Sequence, residues 1–308
     1  MAPPTPLIPE PTPDPKIMGI LDAHLIDVAD SDHEQQGDAA AWDWSPKMRY
    51  ATGSEDAPLE FLTTALSKAT IYVRSVGYFH SAFFGLTITP IANFVRGGGQ
   101  ILLVTSVHLD DTMLDALDSQ DEAGRVRYLA KELGDNLDRL VALDHDAGRK
   151  GKLTIRRQFL ALLLSQRRLR LKVAVPVVVE AGVTRHRAGI HHEKLGLIGR
   201  RDGSAVSFIG SINETMAAWE RGNFESIDVF STKSDPARVR AHAKSLTSTW
   251  SNDGRAVRSY DVTTETAAIL RQYIEKDLTR YGFLTLIEKL QAGLPGAKIE
   301  LGGIGLGL

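Results

Sequence analysis

The β-branched run Thr70-Ile-Tyr-Val-Arg-Ser-Val-Gly77 is followed by a helix-like segment from Ala82 to Arg96, a glycine stop at Gly97-Gly-Gly99, and a second apolar run, Gln100-Ile-Leu-Leu-Val-Thr105. Two such runs with a helical pattern between them form a β-α-β unit, whose strands must be covered by helices. Strand-like runs recur at Leu171 to Val179, Gly189 to Ile198, Ala205 to Ile209 and Ile227 to Ser231. Helical spacing fills Asp110 to Arg170 and returns at Pro236 to Trp250. This alternation predicts an α/β domain with a sheet flanked by helices. A hydrophobic content of 43% over 308 residues is enough for a substantial core. The glycine triplet lacks the lysine continuation of a phosphate-binding loop, which leaves it the role of a tight helix stop.

The ends read differently. The first sixteen residues are proline-rich and aperiodic, and the acidic, irregular stretch that follows extends this arm over residues 1–50. The strand-rich catalytic region is expected at 51–250. Residues 251–308 are expected to form a helical extension, because Ala267, Ile269, Leu270, Ile274 and Leu278 recur at helical intervals between Thr263 and Leu290. There are no cysteines, which removes disulfides, thiolate metal sites and a cysteine nucleophile from consideration. Neither a signal-peptide pattern nor a membrane-length apolar run is present, so a cytoplasmic protein without membrane association is expected.

Chemistry concentrates in Ile190 to Glu225, which contains His192-x-Lys194, then Gly210-Ser211-x-Asn213, then Asn223-x-Glu225. An imidazole nucleophile beside a fixed cation and an amide donor is what attack on an anionic phosphate needs. Residues two apart on a strand share a face, so His192 and Lys194 are expected to enter one cleft while His191 and Glu193 point away. Ser211 is open between phosphate binding and loop shaping. Glu225 is open between orienting a histidine ring and a structural role. A second spacing of this type, His242-Ala-Lys244, falls in a helical pattern, where residues two apart diverge, and no GSxN follows it. His80, at the end of the first strand run, is placed to border the cleft.

This order resembles the phospholipase D superfamily across roughly Tyr72 to Trp250. Gly210-Ser-Ile-Asn-Glu-Thr215, Trp219 and Asn223-Phe-Glu-Ser-Ile-Asp-Val-Phe230 look most like a bacterial subgroup found beside DNA helicases and restriction or defence systems. The resemblance implies a phospholipase D-like mixed sheet and cofactor-free phosphodiester cleavage through a phosphohistidine. His192 would be the nucleophile, Lys194 and Asn213 phosphate clamps, and Ser211 and Glu225 supporting residues. One such histidine per chain implies a homodimer sharing a cleft, with DNA as substrate and a separately encoded helicase or defence subunit as partner. A phospholipase or phosphatidyl-transferring enzyme, and a catalytically silent nucleic-acid-binding subunit, are the alternatives. The family's motif aspartate is replaced here by Gly199, with Asp202 the nearest acid; that aspartate is mainly structural in the family.

The net charge of -2 hides an uneven distribution, because nine basic residues and no acid lie between Arg149 and Lys172. Arg156, Arg157, Arg167 and Arg168 are the candidates for a phosphate-tracking stripe, against the alternative of a solvated helix face.

Overall fold

In a computed structural model, the chain is described over residues 44–53, 57–142, 150–180, 183–219, 223–254 and 256–271. The proline-rich start of the arm, the glycine-rich end and the second half of the expected C-terminal helix lie outside the described residues. Nine strands form one mixed sheet among the described residues. They are β1 (Arg49–Ala51), β2 (Ile71–Ser75), β3 (Gln100–Thr105), β4 (Leu169–Glu180), β5 (Val183–His186), β6 (Leu195–Gly199), β7 (Ala205–Gly210), β8 (Ser226–Ser231) and β9 (Val257–Asp261). Helices α1 (Pro58–Leu66), α2 (Phe84–Arg96), α3 (Asp111–Asp118), α4 (Glu122–Ala142), α5 (Lys150–Ser165), α6 (Met216–Trp219), α7 (Pro236–Ser251) and α8 (Thr263–Leu270) complete the order.

The sheet runs β1-β8-β7-β6-β2-β3-β4-β5, with β9 also paired to β4. The β-α-β unit is as expected: β2 and β3 pair in parallel, and α2 joins them and ends at Arg96 with Gly97 as its C-cap. Against the other edge of β2 lies antiparallel β6. Strands β2 and β6 are buried throughout because both faces are covered, which explains their continuous apolar runs. Tyr72, Ile101, Leu103, Ile198 and Phe208 face a core that also holds Phe61 of α1, Ile91 of α2, Leu133 of α4, Phe159 of α5 and Leu270 of α8. On the opposite face, Val73, Leu102, Val104, Leu195 and Leu197 pack with Val239, Leu246 and Trp250 of α7. That helix starts at Pro236, where the Asp235 carboxylate accepts from the Arg238 N–H at 3.1 Å.

Two boundaries need correction. Residues beyond 250 are not simply a helical appendage, because β9 pairs antiparallel with β4 over Lys172 to Pro176, and Leu270 of α8 lies in the core. The short β9 run, Val257-Arg-Ser-Tyr-Asp261, alternates in burial too weakly to stand out from a turn. At the other end, the irregular arm gives way to structure before residue 51. Trp44 packs on the Phe61 ring, Tyr50 is buried, and β1 forms the sheet edge on β8.

The register defines two ends of the sheet. Ser75 pairs with Leu195, Leu195 with Ile209, and Gly210 with Ile227, which gathers the ends of β2 and β7 and the starts of β6 and β8. Ile71, Gln100 and Gly199 mark the far end. No helix among the described residues is long and apolar enough to cross a membrane.

Candidate active site

The gathered end carries the motif residues. His192 and Lys194 precede β6 rather than lying within it: the ladder starts at Leu195, so the expected strand from Gly189 is shorter by six residues. The alternation of faces nevertheless survives in the extended approach. The Lys194 ammonium stands 2.9 Å from Nε2 and 3.2 Å from Nδ1 of His192, so it donates to whichever ring nitrogen lacks a proton. Burial holds the Lys194 pKa below the usual lysine value; the Arg74 charge adds to this and Glu225 opposes it. The His192 ring lies over Gly77, where a Cβ would come within 2.7 Å of its Cδ2, and Tyr78 meets the ring edge-on at 6.1 Å. Gly77 is therefore the close approach that lets the ring settle against the end of β2.

His191 anchors the same segment from the other side. Its Nε2 is 2.6 Å from Ser75 Oγ on β2, and its main-chain N–H donates to Ser106 Oγ, which itself donates to the Ala174 carbonyl. Burial pushes the His191 pKa down, with Glu193 opposing and His192 and Lys194 adding to the shift. Glu193 Oε2 lies 3.8 Å from that ring, and its Oε1 accepts from Ser245 Oγ on α7. His191 and Glu193 thus hold the loop while the alternate residues, His192 and Lys194, meet on the other side.

The GSxN segment begins at a backbone crossing. A Cβ on Gly210 would stand 2.0 Å from the Ser226 carbonyl oxygen, which makes glycine obligatory there. The Ser211 N–H donates to that carbonyl and its hydroxyl accepts from the Ser226 N–H, so its hydroxyl is engaged in shaping the loop. Asn213 Oδ1 accepts from the Tyr78 N–H at 3.1 Å, which fixes the amide orientation and leaves Nδ2 as the donor. Next to it, Glu214 is 1% exposed and accepts from Tyr72 Oη (2.6 Å), Arg74 Nε (2.7 Å) and Trp219 Nε1 (2.7 Å). Arg74, equally buried, also donates from Nη2 to the Ile212 carbonyl at 2.5 Å and stacks over the Phe208 ring. In this setting the Tyr72 pKa is well above the usual phenol value, chiefly through burial and the Glu214 charge.

Asn223 and Glu225 approach from the start of β8. Glu225 accepts from Asn223 Nδ2 at 3.4 Å and acts on Lys194 through its charge. Thr52, after β1, holds this turn by donating to the Asn223 carbonyl at 2.8 Å and accepting from the Glu225 N–H.

Other candidates are placed elsewhere. His80 is buried, with its N–H on the Glu214 carbonyl. His242 lies on α7, across the sheet from Lys194, with Nδ1 2.9 Å from Ser207 Oγ and its ring against Phe230. Gly199 sits at the far end beside Ile71, and Asp202 caps the β6–β7 turn by accepting from Ser204 N–H and Oγ. Neither borders the cleft.

Within the basic stripe, Arg167 and Arg168 lie away from the site. Arg168 lies at the start of β4, next to the Gly98 carbonyl, and Arg167 is in the preceding turn with φ 52°. The six residues of β3 put this end roughly 20 Å from the histidine. Parallel β4 is entered from the far end, so the sequence proximity of Arg167 and Arg168 to His192 is undone by the strand. Arg156 and Arg157 are half-buried on α5. Arg170 pairs with Asp261 at 2.8 Å, and Lys172 donates to the Trp250 carbonyl above that ring. Arg149 lies outside the described residues.

The sequence reading missed Arg74, Ser75, Tyr78, Ser106 and Glu214. Arg74 had a signal, being a charge inside an otherwise apolar strand; the Tyr78 contribution is a backbone N–H and carries none.

No family model matches the chain, and no curated protein matches it. Among solved structures it is similar to NucT from Helicobacter pylori, with 11% identity and a TM-score of 0.31 over 61% of this chain and 86% of that one. It is also similar to Nuc from Salmonella typhimurium, a phospholipase D family member, with 12% identity and a TM-score of 0.36 over 69% of this chain and 96% of that one. A third likeness is phosphatidylserine synthase from Haemophilus influenzae Rd KW20, with 12% identity and a TM-score of 0.38; it covers 79% of this chain and 45% of the synthase.

Proposed function

We propose that the chain is a phospholipase D-like phosphodiesterase that cleaves DNA through a phosphohistidine. The supporting observation is the contact of the Lys194 ammonium with the His192 ring, at the sheet end that also carries Asn213. In this reading a ring nitrogen of His192 attacks phosphorus, forming an N–P bond as the P–O bond to the leaving alcohol breaks. The partner's His192 gives its proton to that oxygen, then takes one from the water that displaces the imidazole and restores the enzyme. Lys194 moves from the ring to a phosphoryl oxygen, and Asn213 Nδ2 donates to another, so both stabilise charge that develops in the transition state. Two copies of the chain supply the two histidines, which makes the active unit a homodimer. The likeness of the Gly210–Thr215 and Asn223–Phe230 segments to the helicase-linked subgroup favours a defence or restriction setting with a separately encoded helicase partner.

The test pairs DNA, bis-p-nitrophenyl phosphate and phosphatidylcholine vesicles, each with and without excess EDTA, with His192→Ala as control. Cleavage of DNA and the small diester, persistence in EDTA, loss in His192→Ala and an acid-labile phosphoryl adduct are expected. Turnover of vesicles alone would replace DNA by lipid as substrate, and DNA binding without turnover would leave a silent subunit. Undiminished activity of His192→Ala would overturn the nucleophile.

A further inference from the structure

The geometry points to Arg74 as a positioning residue that sets Asn213 at the phosphate, an inference that rests on the phosphodiesterase reading above. Arg74 holds the residues on both sides of Asn213: Nη2 takes the carbonyl of Ile212 at 2.5 Å, and Nε takes the carboxylate of Glu214 at 2.7 Å. Between these two grips the Asn213 amide is left with the Tyr78 N–H on its oxygen. The loop from Ser211 to Thr215 is tied to β8 at its start by the Ser211–Ser226 hydrogen bonds, and beyond that its one ladder contact among the described residues is the parallel bridge of Glu214 to Phe79. Beyond Ser211 its height above the sheet is therefore set by the guanidinium, which rises from the fourth residue of β2 and lies over the Phe208 ring at 4.8 Å. Tyr72 and Trp219 complete the carboxylate's hydrogen bonds, so Glu214 is held from the sheet and from α6 at once. A planar fork can serve two acceptors in fixed directions, whereas a lysine head is a point charge on a flexible stem.

Arg74→Lys keeps the charge and removes the fork. With bis-p-nitrophenyl phosphate, kcat should fall about 10²-fold with little change in KM, the loss expected from misplacing a group by about 1 Å. In an Asn213→Ala background the same substitution should lower kcat no further, while the drop in Tm is the same in both backgrounds. By NMR hydrogen exchange, the Tyr78 amide should lose protection in Arg74→Lys while the Val73 amide keeps it. An equal kcat loss with and without Asn213, or an unchanged Tyr78 amide, would overturn the assignment. If Arg74→Lys does not fold, Tyr72→Phe and Trp219→Phe, which each remove one bond to Glu214, are read in the same cycle. Should the wild-type protein hydrolyse no phosphodiester, the functional reading fails, and the exchange experiment still decides whether Arg74 positions Asn213.

Discussion

Replacing Gly199 by aspartate restores the residue that the motif resemblance expects, and it should not improve the enzyme. Gly199 is buried at the far end of β6, where a new Cβ would meet Ile71 Cγ2 at 3.1 Å, Leu197 Cδ2 at 3.8 Å and Ala205 Cβ at 4.0 Å. The atoms nearest that Cβ are all carbon, and burying a carboxyl group among them costs on the order of 3 kcal/mol even when it takes up a proton instead of its charge. At ~2–4 °C per kcal/mol for a domain of this size, Tm should fall by about 6–12 °C. The effect on catalysis is bounded by distance: seven residues of extended chain separate position 199 from His192, roughly 20 Å. At an effective dielectric constant of ~20 a unit charge there acts with ~0.8 kcal/mol, and salt reduces this to a few tenths, less than a threefold change in rate. Thermal melts paired with kcat on bis-p-nitrophenyl phosphate measure both numbers, and Gly199→Ala, which adds only the 3.1 Å methyl contact, should lie within ~1 kcal/mol of wild type. A tenfold or greater gain in kcat for Gly199→Asp would refute the reasoning, because it would place that position within reach of the phosphate.

Lys194→Ala should lower kcat about 10²–10³-fold, as expected for removing a transition-state charge partner, with the oligomeric state unchanged by light scattering; a change confined to KM would make Lys194 a substrate-binding residue only. Because burial lowers its pKa, the Lys194 charge should be lost as pH rises through a value below the usual lysine range, and an alkaline limb of kcat/KM lying within that range would refute this. His191 and His242 both have pKa values pushed below 6.5 by burial, so the unfolded chain binds more protons than the folded one. Stability should therefore fall as pH drops through about 6.5 and level off below the folded-state values, and His191→Gln with His242→Gln should flatten that slope in urea melts. Arg167→Ala with Arg168→Ala should weaken binding and salt dependence for a strand of about twenty nucleotides but not for one of about four, which is too short to reach the far end of the sheet; equal loss on both would place these arginines near His192 in the working protein.

Much of the fold was legible because β2, β3 and β6 are short apolar runs buried on both faces and β2 and β3 are separated by helical spacing, so the β-α-β unit stands out. The grouping of His192, Lys194 and Asn213 at one end of the sheet was legible from their spacing along the chain. What spacing does not carry is direction across a sheet. The stripe from Arg149 to Lys172 precedes the motif in sequence, yet the turn at Arg167 enters β4 from the opposite end. β9 escaped because five residues with a weak alternation have no signature until they find β4. Glu214 follows Asn213 directly, but its partners Tyr72 and Arg74 lie 142 and 140 positions earlier, and nothing local pairs them.

Inserting β6 beside β2 has a cost during synthesis. Tyr72 and Arg74 leave the ribosome long before Glu214, and at ~5–20 residues per second a separation of 142 positions is a wait of about 7–30 s. For most of that interval the edge of β2 that will pair with β6 is open, and Arg74 has no Glu214 carboxylate to meet. A nascent chain in this state carries a β-branched edge ready to join another like it, so yield in a cell should depend on translation speed and on holding chaperones more than on the stability of the finished sheet.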